Sequence, residues 1–546
     1  MTISTNGPIS DPIQAGLASG WQVLDASSLA EDRHFEADVV IVGTGAGGGV
    51  TAEILALAGL KVILIEEGPL KSSRDFKMRE AQAYPALYQE SAARKTKDKS
   101  INILQGRAVG GSTTVNWTSS FRTPGRTLNY WQQTFGLKDY SSESLAPWFA
   151  MMERRLNIHP WATEPNENNN LLRQGATKLG IPTGVISRNV KGCWNLGYCG
   201  MGCPTNAKQS MLITTIPSAL SHGAMLVTRA RADKLHFKGD AVDSLACVAM
   251  DASGLEPTGR KVSLRARHFV LSGGAINSPA LLMRSGAPDP HRLLGKRTFL
   301  HPTVISAALH DHKVEGFSGA PQSVYSDHFL ETQSIDGPIG YKLEAPPLHP
   351  LLFASTMNGF GARHSAVMKQ FAQTHALLAL LRDGFNEHSV GGTVQLRDDG
   401  SPVLDYPITD FVWNGVKRAL LSMAEIQFAA GARTVYPVHE MAEGYSNWKA
   451  AKQAIETLPY KPLLTRVVSA HVMGGCGMSG DEKLGVVSSN GRYHGITNLS
   501  VHDGSLFPTS IGANPQLSIY GTTARLASGL AEQLSGKPAP ALAAST

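Results

Sequence analysis

Apolar runs separated by glycine turns and helical stretches dominate the first part of the chain. Residues 37–42 (ADVVIV) form a short apolar run typical of a buried strand, and a second run follows at 61–65 (KVILI). Between them, a cluster of glycines leads into a helical segment over residues 47–57. This order of strand, turn, helix and strand predicts a βαβ unit built on a parallel sheet.

Two later runs, at 225–227 (MLV) and 268–271 (HFVL), also have the pattern of buried strands, and the second leads into a helix over 278–284. Residues 300–460 differ, because apolar and polar positions alternate there in short pieces such as 389–395. Such alternation predicts an antiparallel sheet that is exposed on one side.

Composition and charge narrow the functional classes. Of the 546 residues, 42% are hydrophobic and 17% charged, which is too apolar for a disordered chain. A net charge of +6 is too dilute for a nucleic-acid binder, and five cysteines do not make a disulfide scaffold. No run reaches the roughly 18 apolar residues of a membrane span, and the N-terminus does not resemble a signal peptide. We expect a cytoplasmic globular enzyme, with the short basic run 94–99 as a solvated loop or a peripheral contact with acidic lipid.

The glycine cluster after the first strand has the spacing of a dinucleotide-binding turn. Gly43, Gly45 and Gly48 fit G-x-G-x-x-G between a strand and a helix, with Ala46 inside the turn. Such glycines allow a tight turn and the close approach of a pyrophosphate to the helix N-terminus. Glu66 ends the second strand, where a carboxylate can accept hydrogen bonds from ribose hydroxyls. The motif leaves FAD and NAD open.

Three further segments resemble those of one flavoprotein family. Residues 106–116 (GRAVGGSTTVN) are similar to the first signature of the glucose-methanol-choline (GMC) oxidoreductases. Residues 274–286 resemble the second signature, which here continues with Ala-Pro in place of an apolar residue and Gly. The stretch from His471 to Gln516 resembles the catalytic region. The resemblance spans about residues 37–536 and is closest to the long-chain alcohol oxidases.

This resemblance implies an α/β fold in which a Rossmann-like FAD-binding domain with a parallel sheet carries a substrate domain with a largely antiparallel sheet. We expect the domains to divide as follows: an N-terminal arm, 1–36; the FAD-binding domain, 37–125, 205–299 and 465–536; the substrate domain with the cysteine loop, 126–204 and 300–464; and a disordered tail, 537–546.

The resemblance also implies FAD, held covalently or non-covalently. The loop 106–116 is expected beside the flavin, Ala232 beside adenine, and Asp503-Gly504 beside the phosphates and ribityl chain. The predicted FAD-binding residues are Gly43, Gly45, Ala46, Gly48, Glu66, Arg107, Val109, Gly110, Gly111, Ser112, Asn116, Ala232, Gly274, Asp503, Gly504 and Gln516.

Two residues match the catalytic positions of the family. Oxidation of an alcohol by a flavin removes a proton from oxygen and a hydride from carbon, so it needs a base near neutrality and a group that holds the oxygen. His471 matches the base and Asn514 its partner. We expect oxidation of a primary, largely apolar alcohol to the aldehyde, with oxygen, a quinone or a cytochrome as electron acceptor. Alternatives are a sugar or polyol dehydrogenase that passes electrons through an iron–sulfur cluster, and a non-catalytic FAD-binding redox protein.

Three cysteines lie close together in sequence, with the spacing C-x5-C-x3-C at Cys193, Cys199 and Cys203. Thiolates on a glycine-rich loop suit a [3Fe-4S] cluster, as in the cluster-bearing dehydrogenases of the family. Zinc lacks a fourth ligand nearby, and a disulfide is disfavoured in a cytoplasmic protein. A loop that packs without any metal is the remaining alternative, and the sequence does not decide among these.

Overall fold

Two eight-stranded sheets organise the chain. The structure is a computed structural model that describes residues 9–544. Its strands are β1 (Gln22–Asp25), β2 (Arg33–Val42), β3 (Val62–Ile65), β4 (Ile101–Ile103), β5 (Ile158–Pro160), β6 (Gly184–Val185), β7 (Ser187–Asn189), β8 (Met225–Thr228), β9 (Ala230–Lys238), β10 (Ala241–Met250), β11 (Pro257–Leu271), β12 (Thr298–Leu300), β13 (Thr303–Leu309), β14 (Val324–Ser326), β15 (Tyr341–Glu344), β16 (Thr374–Leu381), β17 (Thr393–Leu396), β18 (Pro402–Asp405), β19 (Thr434–Pro437), β20 (Val467–Ser469), β21 (Val472–Gly474) and β22 (Leu499–Val501).

The α-helices of the described residues follow the same order along the chain. They are α1 (Pro12–Ala18), α2 (Ala46–Leu57), α3 (Glu80–Leu87), α4 (Ser112–Val115), α5 (Gly125–Phe135), α6 (Ser142–Arg155), α7 (Glu167–Lys178), α8 (Thr215–Ser221), α9 (Gly274–Arg284), α10 (His328–Glu331), α11 (Pro350–Thr356), α12 (Gly361–Met368), α13 (Asp410–Ala429), α14 (Trp448–Thr457) and α15 (Gln516–Ser535).

The first sheet is mostly parallel. Its order is β1-β8-β3-β2-β11-β10-β9, and β22 also pairs with β11. The five neighbouring strands β1, β8, β3, β2 and β11 run parallel to one another, and β22 runs parallel to β11. Strand β10 is antiparallel to both of its neighbours, β11 and β9. The central strands β2 and β3 are apolar and buried because helices cover the sheet, with α2 packed against α8 and α15.

The second sheet is mostly antiparallel, with the order β4-β20-β13-β16-β15-β14-β6 and β19 also paired with β13. Only its β4–β20 pair is parallel within the described residues. The long helix α13 covers one face and packs on β13 and β16 together with β15 and β19. Apolar residues of this helix and these strands form the second core.

The structure differs from the predicted domain division at two places. Residues 12–18 form a helix and 22–25 a strand of the first sheet, so part of the predicted N-terminal arm belongs to the first sheet. Strands β4 and β20 belong to the second sheet, although their residues were assigned to the FAD-binding domain. Such short strands are decided by pairing partners far away in sequence. Residues 1–8 of the arm and 545–546 of the tail lie outside the described residues.

Candidate active site

A cavity of about 1120 Å³ lies at the carboxyl ends of β2, β3 and β11, where the second sheet meets the first. Ligands of open parallel sheets bind at this end of the strands. Most of the residues predicted to bind FAD line this cavity: Gly43, Gly45, Ala46, Glu66, Arg107, Gly111, Ser112, Asn116, Ala232, Gly274, Asp503, Gly504 and Gln516. His471 and Asn514 line it as well.

The glycine turn after β2 is packed too closely for side chains. Gly43 has a φ of +98°, and a Cβ on it would lie 2.3 Å from the backbone oxygen of Ser272. A Cβ on Gly47 would lie 1.6 Å from the carbonyl oxygen of His502. Helix α2 then begins at Ala46 without a side-chain cap, so its first N–H groups are left for a ligand in the cavity.

Glu66 lies buried at the end of β3. Its Oε2 accepts hydrogen bonds from the backbone N–H (3.2 Å) and hydroxyl (2.5 Å) of Thr44, and its Oε1 accepts from the N–H of Gly68 at 2.9 Å. Burial raises the pKa of this carboxyl, and the hydrogen bonds oppose that shift. Oε1 therefore keeps a further lone pair for a ligand hydroxyl, whereas Oε2 already accepts two hydrogen bonds.

The loop 106–116 faces the turn across the cavity. Gly111 comes so near the glycine turn that a Cβ on it would lie 2.7 Å from Cα of Gly45. Asn116 donates from Nδ2 to Oε1 of Gln516 at 2.6 Å, which joins two predicted site residues that are distant in sequence. Val109 and Gly110 lie behind this wall and do not line the cavity.

Gly48 is also outside the cavity wall. A Cβ there would lie 1.9 Å from the carbonyl oxygen of Gly43, so the turn itself requires this glycine. The carboxylate of Asp503 links two segments of the cavity wall. Its Oδ2 accepts hydrogen bonds from the N–H of Gly274 (2.8 Å) and the hydroxyl of Ser278 (2.6 Å), both in α9.

The wall of the cavity fits a large polar cofactor. Six buried polar atoms on lining residues have no hydrogen-bond partner within the described part of the chain: Arg107 Nε, Trp117 Nε1, Thr118 Oγ1, Ser119 Oγ, Arg466 Nε and Asn514 Oδ1. Buried donors and acceptors of this kind are costly unless a ligand or water satisfies them. Together with the glycine turn, the uncapped helix and Glu66, they match a dinucleotide such as FAD.

His471 lies at the polar end of the cavity beside a second histidine, His301. Their Nδ1 atoms are 2.9 Å apart, and the N–H of Gly512 donates to Nε2 of His301 at 3.1 Å. Burial lowers the pKa of His471 to about 3, and the charge of Lys342 acts in the same direction. Burial also lowers the pKa of His301 well below its usual value, so both rings are neutral at pH 7.

These contacts determine the tautomer of each ring. Because Nε2 of His301 accepts from Gly512, the proton of neutral His301 is on Nδ1. That N–H donates to Nδ1 of His471, so the proton of neutral His471 is on Nε2. In this state His471 is a hydrogen-bond donor toward the cavity.

Asn514 is buried, and its Nδ2 donates to Oε2 of Glu344 at 3.3 Å. Its Oδ1 has no hydrogen-bond partner among the described residues. His301 and Glu344 were not predicted as site residues. Neither lies in a recognisable motif, and each meets its partner across 170 residues of chain.

The three cysteines of the loop 193–203 do not form a ligand set. Among residues 9–544, no group of three or more His, Cys, Asp or Glu side chains is placed to hold a metal ion. Cys199 Sγ lies 3.6 Å from Arg188 Nη2, Cys203 Sγ lies 3.4 Å from Thr205 Oγ1, and all the cysteines are free thiols. The cluster, zinc and disulfide alternatives therefore find no support here.

This cysteine loop packs instead against the loop 106–116. Buried Lys208 donates from Nζ to the carbonyl oxygens of Thr114 (2.6 Å), Asn116 (2.9 Å) and Cys199 (2.7 Å). In the basic run 94–99, Lys95, Lys97 and Lys99 are exposed, whereas Arg94 is buried and pairs with Glu90. No helix of the described residues combines the length and apolar character needed to cross a bilayer.

The fold and the cavity define an α/β protein with a candidate dinucleotide site where its two large sheets meet. Family models described as GMC oxidoreductase match residues 84–303 and 388–523, which together exceed half of the chain. The chain belongs to the GMC oxidoreductase family. The predicted family and fold class are thereby confirmed, as is an oxidoreductase acting on CH–OH donors, and the family implies FAD as cofactor.

Curated relatives cover most of the chain. A GMC-type oxidoreductase of Mycobacterium tuberculosis is 30% identical over 91% of this chain and 76% of its own length. A long-chain-alcohol oxidase of Arabidopsis thaliana is 27% identical over 92% of this chain and 68% of its own length. A GMC-type oxidoreductase of Sinorhizobium fredii is also 27% identical, over 92% of this chain and 95% of its own.

Solved structures share the fold. The crystal structure of pyridoxine 4-oxidase from Mesorbium loti matches with a TM-score of 0.66 at 18% identity, covering 90% of this chain and 98% of that one. The structure of formate oxidase matches with a TM-score of 0.67 at 15% identity, covering 92% and 99%.

Proposed function

We propose that the protein oxidises primary alcohols with a long apolar tail to aldehydes, with FAD in the cavity described above. The proposal rests on one observation: an apolar slot leads to a polar end at which His471 and Asn514 offer one donor and one acceptor. A neutral hydroxyl group is both an acceptor and a donor, so it matches this pair. The long-chain-alcohol oxidase among the relatives supports the same class of substrate.

The slot lies on the face of the second sheet. Residues at alternate positions of β13 and β16 line the cavity in three cross-strand pairs: Thr303 with Leu380, Ile305 with Leu378, and Ala307 with Ala376. Alternate residues of a strand share one face, so these pairs form a continuous ladder. Four residue steps along β13 correspond to about 14 Å.

The opposite wall comes from α11 and the residues just before it. Leu348, Leu352 and Phe353 line the cavity there, and Leu348 and Phe353 belong to a small apolar cluster with Ala307 and Ala376. This lining favours an alkyl chain over a polyol, because hydroxyl groups along the slot would lose water without gaining partners.

The slot has a defined direction. Thr303 pairs with Val468 of β20, and His471 lies two residues beyond the end of that strand, while His301 precedes Thr303 by two residues. The pair Thr303–Leu380 is therefore nearest to the two histidines, and the pair Ala307–Ala376 is at the far end. A primary hydroxyl held by His471 would leave its chain pointing along the ladder.

The chain's residues bind the hydroxyl and move its proton. In the resting tautomer, His471 Nε2–H donates to the alcohol oxygen and Asn514 Oδ1 accepts the hydroxyl hydrogen. FAD, when bound, supplies the acceptor for the hydride that leaves the alcohol carbon. For His471 to take the hydroxyl proton on Nε2, that nitrogen must first lose its own proton. This requires the other tautomer of each ring: the Nδ1 proton of His301 passes to Nδ1 of His471, Nε2 of His471 gives its proton to solvent, and Nε2 of His301 releases the N–H of Gly512 and takes up a proton from solvent.

Anaerobic reduction of the FAD-loaded protein by a series of straight-chain primary alcohols tests the proposal. We expect bleaching of the flavin absorbance by long alcohols, and a 10²- to 10⁴-fold slower reduction in His471→Asn with unchanged FAD content, roughly the share a general base contributes. His222→Asn changes an exposed histidine and is expected to leave the rate unchanged.

Two results would contradict the proposal. No bleaching by any alcohol in the wild-type protein would favour a non-catalytic redox protein. A polyol that reduces the flavin faster than every alkanol would refute the apolar substrate class.

A further inference from the structure

Strand β15 carries two buried charged residues, Lys342 and Glu344, and Glu344 contacts Asn514. Their side chains are 3% and 0% exposed, and Lys342 Nζ lies 3.8 Å from Glu344 Oε1. Gln322, which lines the cavity, donates from Nε2 to Glu344 Oε2, the oxygen that also accepts from Asn514. A buried ion pair is costly to build into a fold, so its place beside the proposed catalytic pair calls for an explanation.

We propose that Glu344 is a positioning residue that fixes the orientation of the Asn514 carboxamide, so that its oxygen and not its nitrogen meets the substrate hydroxyl. The inference deepens the function proposed above and rests on it for the identity of the ligand. It assigns to the second sheet a share in the recognition of the hydroxyl group.

Hydrogen-bond chemistry decides which end of the Asn514 carboxamide faces Glu344. An ionised carboxylate only accepts, so the group of Asn514 that faces Glu344 must be the NH₂ group. The reverse orientation would place Oδ1 of Asn514 against Oε2 of Glu344, and both atoms are acceptors. Nδ2 donates at 3.3 Å, and Oδ1 is left without a partner although Asn514 is only 4% exposed.

Lys342 favours the ionised, accepting state of Glu344. Burial raises the pKa of Glu344, and the ammonium group of Lys342 is the strongest influence that opposes this rise without cancelling it, while burial lowers the pKa of Lys342 to about 7. The ammonium group also lies against the rings of Phe121 and Tyr325, which stabilise a cation in a buried place. Oε1 of Glu344 has no hydrogen-bond partner, so Lys342 acts through charge.

A binding measurement that needs no turnover tests this assignment. The ligands are a tertiary alcohol, which has no hydride to give, and its methyl ether, which cannot donate a hydrogen bond. Calorimetry on the FAD-loaded wild type should show the alcohol binding about 10-fold more tightly than the ether, because only the alcohol can donate to Asn514 Oδ1.

Three variants distinguish the hydrogen bond that Glu344 accepts from Asn514 from the negative charge of Glu344. Glu344→Gln should keep the preference for the alcohol within threefold, since a carboxamide oxygen still accepts from Asn514. The double variant Lys342→Met with Glu344→Leu removes both charges and should abolish the preference. Glu344→Asp keeps the charge but moves the carboxylate away from Asn514, so it should also abolish the preference for the alcohol. This variant tests the assignment even if the double variant does not fold.

A double-variant comparison distinguishes positioning from a general structural role. In an Asn514→Ala background, the change Lys342→Met with Glu344→Leu should alter the affinity for the alcohol less than twofold. An effect that persists in this background would overturn the proposal, as would an alcohol preference that survives Glu344→Asp or is absent from the wild type. A wild type that prefers the alcohol but is reduced by no primary alcohol would refute the proposed function and leave this assignment standing.

Discussion

A larger side chain at the far end of the slot should reduce the oxidation of long-chain alcohols and leave that of short-chain alcohols unchanged. Ala307 pairs with Ala376 about 14 Å along the ladder from the pair nearest the histidines, and both side chains line the cavity. Ala307→Leu adds three carbon atoms there and displaces about as many methylene groups of a long substrate. Each methylene group that is no longer buried costs about 0.8 kcal/mol of binding free energy. Three such groups cost about 2.4 kcal/mol, which corresponds to a roughly 60-fold lower kcat/KM.

The assay is kcat/KM for a series of straight-chain primary alcohols with wild type and variant. Short alcohols that do not reach Ala307 should keep their values, so the profile should break at one chain length. Ala366→Leu adds the same atoms at an exposed helix position and serves as the control. An equal loss for every chain length would refute the direction of the slot, provided that FAD content and Tm show no general damage from overpacking.

Three further predictions concern the scaffold. Gly47→Ala should lower the stability by about 1–3 kcal/mol and reduce the FAD content, because its Cβ would meet the carbonyl oxygen of His502. The folded-state pKa of about 3 for His471 lies below its unfolded value near 6.5, so the stability from this group is lost as the pH falls below about 6.5, by about 1.4 kcal/mol per pH unit. Arg155→Met should cost about 3–5 kcal/mol, since it leaves the buried carboxylate of Glu53 unpaired.

Each of these has a measurement and a matched control. Thermal unfolding of Gly47→Ala is compared with Gly529→Ala, where a Cβ meets nothing within 4 Å and a helix interior should gain about 0.5–1 kcal/mol. For His471, the stability–pH slope between pH 6 and pH 4 should be shallower in His471→Asn and unchanged in His222→Asn. Arg154→Met alters the exposed neighbour and should be near neutral, and a similar loss in both arginine variants would contradict the role of the ion pair.

The amino-acid sequence was sufficient for the elements whose information is local. The run 37–42, the glycines after it and the acid at Glu66 predicted the βαβ unit, because periodicity and turn chemistry are read within a few residues. The family motifs likewise marked His471 and Asn514, and the structure brings both to one cavity.

What depends on distant residues was decided by the tertiary structure. No local pattern shows that residues 22–25 pair with β8, or that His301 and Glu344 meet the two marked residues across 170 positions. The cysteine spacing suggested a cluster, yet each thiol of Cys199 and Cys203 has its own neighbour, because side-chain direction depends on how the loop packs. Sequence patterns thus marked His471 and Asn514 as the proposed reacting groups, whereas hydrogen bonds with His301 and Glu344, which only the fold brings near, orient their side chains.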